Sequence, residues 1–161
     1  MKVRIKSVLS PLVGKPLTDM WAYGCWKFEF GPQVPFINRK GQESSHADWR
    51  FVIECSWELA KDRGWSISSA QLEYVDGRLP DEARDLVRPL REELASAAPV
   101  LQSIEATDEG EVLFRLQQGY TLRVVPDRLV SDERAEQWRY MPSGDASHFV
   151  LDATPDGLVL E

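Results

Sequence analysis

One stretch, Trp49 to Leu59, constrains this chain more than any other. Its odd positions are Trp49, Phe51, Ile53, Cys55, Trp57 and Leu59. Between them stand Arg50, Val52, Glu54, Ser56 and Glu58. Side chains alternate faces along an extended strand, so a period of two marks a strand with one face in a core. A helix would scatter the same apolar residues around its circumference. The pattern predicts one long strand, with room for a bulge, burying Trp49, Phe51, Ile53, Cys55 and Trp57.

The rest of the chain supplies partners for that strand. Trp26-Lys27-Phe28-Glu29-Phe30 alternates in the same way, and Gly31-Pro32 ends it. Pro11 to Pro16 reads as a turn after a short N-terminal strand or helix. Residues 38–48 are polar and predict an exposed loop. Residues 65–75 predict another strand, or two short ones.

Residues 80–98 form the helical region, with Ala83, Leu86, Val87, Leu90, Leu94 and Ala97 recurring at spacings of three and four. Pro89 interrupts it. A proline inside a helix clashes with the carbonyl four residues back and costs about 3 kcal/mol. The pattern therefore predicts a short helix ending near Val87 and a second one starting with Pro89 at its first position.

From residue 100 the period returns to two. Residues 100–107, 111–116 and 120–125 predict a three-stranded meander. Its register follows the apolar pattern: three-residue loops set Phe114 opposite Leu122, Val112 opposite Val124, and Ile104 opposite Phe114, with Gly119 at positive φ. Residues 134–141, 148–152 and 158–160 predict further short strands. Strands, a helical segment, then more strands describe an α+β fold with a mainly antiparallel β-sheet, in a single domain spanning 1–161.

Composition narrows the function classes. The chain has 161 residues and a net charge of −7, which argues against a nucleic-acid binder. No apolar run approaches the roughly 20 residues that span a bilayer, and no targeting segment is recognisable. The expectation is a cytoplasmic protein that engages neither nucleic acid nor membrane. Cys25 and Cys55 are the two cysteines, without Cys-x-x-Cys or His-Glu-x-x-His spacing. They are expected to be reduced, buried thiols, with no metal and no cofactor. Nucleophile elbows and glycine-rich phosphate loops are also missing. No catalytic residue is assigned, and the sequence leans away from an enzyme.

Several stretches in order resemble a family of small uncharacterised bacterial proteins, a domain of unknown function best known from actinobacteria. They are Val13-Gly14-Lys15-Pro16-Leu17, Glu54-Cys55-Ser56-Trp57-Glu58-Leu59, residues 99–106, and Gln118-Gly119-Tyr120-Thr121-Leu122. The tail continues through Glu136-Gln137-Trp138-Arg139, Pro142, Gly144 and His148-Phe149-Val150. Family members tend to read Cys-Pro-Trp-Arg-Leu where this chain has Ser56 and Glu58. The resemblance spans about residues 13–150 and implies one domain. It carries no activity.

Charge placement leads to the functional expectation. Residues 71–161 hold nine Arg and nineteen Asp/Glu, a balance of −10. The leading reading is a non-enzymatic acidic interaction protein, of the immunity type, that neutralises a basic protein partner through Asp108, Glu109, Asp132 and Glu133. Lysine substitutions there should weaken the complex with little change in melting temperature. The alternative is a small-ligand-binding domain with a pocket near Trp138 and Arg139, joined by Glu136 and His148. Glu136 and His148 would also be the first candidates for acid/base chemistry in an enzyme. Oligomeric state is not readable from the sequence.

Overall fold

The computed structural model describes residues 1–127, 134–142 and 148–161. Asp132, Glu133 and Gly144 lie outside the described residues. The fold is α+β and mostly antiparallel sheet. In chain order the elements are α1 (Lys2–Leu9), β1 (Leu17–Ala22), β2 (Trp26–Phe30), β3 (Val34–Ile37), β4 (Glu43–His46), β5 (Trp49–Ile53), β6 (Ser56–Lys61), β7 (Ser66–Ser68) and α2 (Asp81–Ala97). They continue as β8 (Leu101–Ala106), β9 (Val112–Leu116), β10 (Tyr120–Val125), β11 (Ala135–Met141), β12 (Phe149–Thr154) and β13 (Gly157–Leu160). One sheet has the order β1-β2-β5-β11-β12-β13, a second β7-β6-β10-β9-β8, and β3-β4 stands apart as a hairpin.

The two large sheets pack face to face. Phe51 meets Phe114 at 5.1 Å between ring centroids and Trp138 at 5.2 Å. Trp57 receives Trp26 and Phe28, each at 5.1 Å. The edge-on contacts of Phe51 with Phe114 and of Trp57 with Trp26 and Phe28 cross between the sheets, whereas Phe51 and Trp138 lie on neighbouring strands of one sheet. Along β8–β10, Ile104 pairs with Phe114 and Phe114 with Leu122, so one buried row crosses three strands.

Residues 49–59 are not one strand. β5 and β6 belong to different sheets, and the chain turns a corner at Glu54-Cys55. Both backbone amides at the corner donate to the Gln137 carbonyl, at 2.9 and 3.2 Å. Gln137 sits where the β11–β12 register shifts. The period of two survives the corner because both halves wrap the same core.

Three other expectations change. Residues 38–48 are not all loop, since β3 and β4 pair across a turn whose Asn38 Oδ1 accepts the Lys40 and Gln42 amides. Residues 65–75 give only the short β7 and then a single 3₁₀ turn, Ser69–Gln71. Helix α2 runs unbroken through Pro89. Pro89 and Asp85 are exposed, so the carbonyl that loses its partner remains in water, and Val87 and Leu94 still reach the core on one continuous face.

Helix α2 is held at both flanks. Arg91 donates twice to Asp19 of β1, both at 2.8 Å. On the other side Glu93 accepts from Lys61 Nζ at 2.9 Å, Trp65 Nε1 at 2.7 Å and Tyr120 OH at 2.8 Å. The helix therefore ties the β1 edge of one sheet to β6 and β10 of the other, and this sets the position of the groove described next.

Candidate binding groove

Arg84, Val87, Arg88, Arg91, Glu92 and Ala95 follow helical spacing, so they share one side of α2. That side forms one wall of a groove of about 1100 Å³. The facing wall is β1 and the turn after it, with Asp19, Trp21, Tyr23 and Gly24. Tyr74, Arg78 and Leu79 close one end. Their segment is braced by reciprocal backbone bonds between Val75 and Arg78, at 2.9 and 3.0 Å.

Charge in the groove opposes charge on the molecule. Four arginines, at 78, 84, 88 and 91, line it against two carboxylates, Asp19 and Glu92, in a chain of net −7. Arg84 lies 3.7 Å from Asp81 and Arg88 3.2 Å from Asp85, both exposed one-turn pairs. Exposed pairs of this kind contribute little and exchange readily for another anion. Arg91 is held more firmly, and its bond to Asp19 raises its pKa further above the usual arginine value. Aromatic surface completes the wall: Tyr23 is 80% exposed, and Lys27 Nζ lies 4.2 Å from the Trp21 ring centroid. A second groove of about 670 Å³ continues from this one through Asp19, Ser45 and Arg91 to Phe36 and Ile37 of the β3–β4 hairpin.

The residues singled out from the sequence fall elsewhere. Trp138 is fully buried, with its ring against Phe51 in the core, and lines neither groove. Arg139 and Glu136 do meet, at 2.5 Å. Near them Glu54 is pushed up by its own burial and then by the negative Glu136. Cys25, whose thiol donates to the Tyr23 carbonyl at 3.7 Å, is pushed up mainly by burial and next by the negative Glu54. Burial pushes Cys55 to about 12. Held protonated, both thiols are poor nucleophiles in this environment. His148 is exposed at the start of β12.

The acidic residues also separate. Asp108 accepts the Lys2 backbone amide at 3.2 Å and faces Lys2 Nζ at 3.4 Å, which ties down the start of α1. Its lowered pKa has the Lys2 backbone bond as its largest cause. Reversing Asp108 would remove this tie, so a different effect on the melting temperature is expected there than at Glu109. Glu109 is exposed beside it. Glu111 is engaged by Arg123, and Glu105 by Arg115.

Sequence reasoning missed the groove residues Trp21, Tyr23, Tyr74, Arg78, Arg84, Arg88 and Arg91. A signal was available: arginines at 84, 88 and 91 on an amphipathic helix fall on one face. Among the described residues no group of three or more His, Cys, Asp or Glu side chains could hold a metal, and no helix is long and apolar enough to cross a membrane. Comparison with protein-family models, curated proteins and solved structures finds no match for this chain.

Proposed function

We propose that this chain is a non-enzymatic binding protein and that the groove beside α2 takes a negatively charged ligand. The observation that carries the reading is the arginine-lined wall of a groove of about 1100 Å³ in an otherwise acidic molecule. Guanidinium groups pair with carboxylate and phosphate in planar, two-point geometry, and a cleft of one sign concentrates ions of the other. The small-ligand reading thus moves from Trp138 and Arg139 to the groove between α2 and β1.

A thermal-shift series with sulfate, citrate and pyrophosphate tests this. A ligand at a hundredfold excess over its Kd adds about 2.7 kcal/mol. The Arg84→Glu/Arg88→Glu double variant should lose the shift while its unliganded melting temperature stays close to wild type. Equal shifts in both proteins would place the anion elsewhere and end the reading.

A second reading, neutralisation of a basic partner through Asp108 and Glu109, has the net charge of −7 in its favour. Glu109 is the better probe of it, because Asp108 is already engaged by Lys2. Pull-down of a basic protein that Glu109→Lys releases would support it, and a complex indifferent to Glu109→Lys and to salt would oppose it.

A further inference from the structure

We infer that the occupant of the α2 groove is an extended acidic peptide, with carboxylates at alternate positions and apolar side chains between them. The inference rests on the anion-binding reading above and names the ligand class.

The two walls differ in chemistry. The helix wall presents Arg84 and Arg88, with Arg91 already bound to Asp19, and the β1 wall presents Tyr23 and Trp21, the latter under Lys27, beyond that Asp19. A ligand lying between them must be acidic on one side and apolar on the other. An extended peptide of alternating sequence has that form, because successive side chains point to opposite faces. A helix would need a different spacing, and a small polyanion would leave the aromatic wall unused.

The spacing agrees. Arg84 to Arg88 advances about 6 Å along the helix axis, and Arg88 to Arg91 about 4.5 Å. Alternate residues of a strand are about 6.6 Å apart, within the reach of long arginine side chains. Glu92, on the same wall, disfavours a carboxylate next to it and so limits where the acidic run can lie. Arg84 and Arg88 can leave their exposed partners at little cost.

The groove also extends beyond the helix wall. It continues past Arg91 into the second groove, where Phe36 is 40% and Ile37 64% exposed on the hairpin. A peptide leaving the α2 wall meets these apolar residues next, with Glu43 beside them. An apolar residue, rather than a further carboxylate, suits that end.

The test uses the full chain and a fluorescein-labelled peptide of about eight residues, long enough to cover the helix wall at strand rise. The peptide alternates glutamate with leucine and phenylalanine. A block peptide of the same composition and inorganic tripolyphosphate are the comparison ligands, all read by fluorescence anisotropy or competition. The alternating peptide should bind at least about tenfold more tightly than the block peptide. Arg84→Glu/Arg88→Glu should cost about tenfold or more, and Ile37→Ser should weaken binding without changing the fold. These variants alter exposed side chains, and circular dichroism confirms that they fold. Equal affinity for both peptides, or binding indifferent to the arginine reversals, would overturn the inference. Arginine-dependent binding of tripolyphosphate without the peptide would also overturn it, and would leave the anion-binding reading standing. Failure of every probe would end both.

Discussion

Replacing Glu93 tests how α2 is held over the groove. Its carboxylate accepts from Lys61, Trp65 and Tyr120, which come from two strands and a turn of one sheet. Glu93→Ala removes all three bonds. Tyr120 is fully buried, so its hydroxyl loses its partner where water does not reach it freely. An unsatisfied buried donor costs about 1–3 kcal/mol, and the Trp65 bond to a charged acceptor adds about 1.5 kcal/mol. Lys61 is exposed enough to return to water. The expected loss is about 3 kcal/mol, equivalent to roughly 10 °C in melting temperature for a chain of this size. Urea denaturation of the wild type, Glu93→Ala, Tyr120→Phe and the double variant forms a cycle, and the coupling between the two sites should be about 1–2 kcal/mol. The pH dependence supplies an independent check. Hydrogen bonding by Lys61, first, lowers the Glu93 pKa below the ordinary value of 4.5. A lowered folded pKa contributes stability that is present above the unfolded value and is lost as pH falls through the folded one. The gap between wild type and Glu93→Ala should therefore narrow as pH falls below 4.5. A loss under about 0.5 kcal/mol at neutral pH, or a gap that widens in acid, would refute the reasoning.

Three further outcomes are expected. Phe51→Ala should destabilise by about 3–5 kcal/mol in urea denaturation, because the ring is fully buried between Phe114 and Trp138. Asp108→Lys should lower the melting temperature and speed amide exchange over α1, whereas Glu109→Lys should leave both unchanged, since only Asp108 holds Lys2. Alkylation followed by mass spectrometry should find both thiols slow at neutral pH, with Cys25 ahead of Cys55, because burial raises both and Cys25 is the less buried.

The sheets were legible because burial writes itself into a strand at a period of two. Phe114 opposite Leu122 is the register that keeps Val112, Phe114, Leu116, Tyr120, Leu122 and Val124 on the buried face, and a one-residue slip would expose them. The corner at Glu54-Cys55 was not legible for the same reason. Periodicity reports which face meets the core, and a strand that bends around that core keeps its face. What breaks the strand is the distant Gln137 carbonyl. The continuous α2 was hidden by a local rule as well. The proline penalty is local, and it is offset here by the burial of Ala83, Val87 and Leu94 along one continuous helix face, while the freed Asp85 carbonyl lies on the exposed side. The β3–β4 hairpin has no buried face to leave a pattern.

The site was less legible, and part of the reason lies in strand geometry. Trp138 and Arg139 are neighbours on β11: the Trp138 ring turns into the core against Phe51, Arg139 stays half-buried beside Glu136, and neither lines the grooves beside α2. Net charge is uninformative about this groove in a different way. A sum of −7 over the chain says nothing about where the arginines gather. Helical spacing does: residues 84, 88 and 91 fall on one face whatever the rest of the chain carries. Their partners on the opposite wall, Trp21 and Tyr23, are more than 60 positions away, and only the docking of α2 on β1 through Arg91 and Asp19 brings them across from the arginines. The basic stripe was therefore written in the helix, and the aromatic wall that gives it a binding partner's shape arose only with the fold.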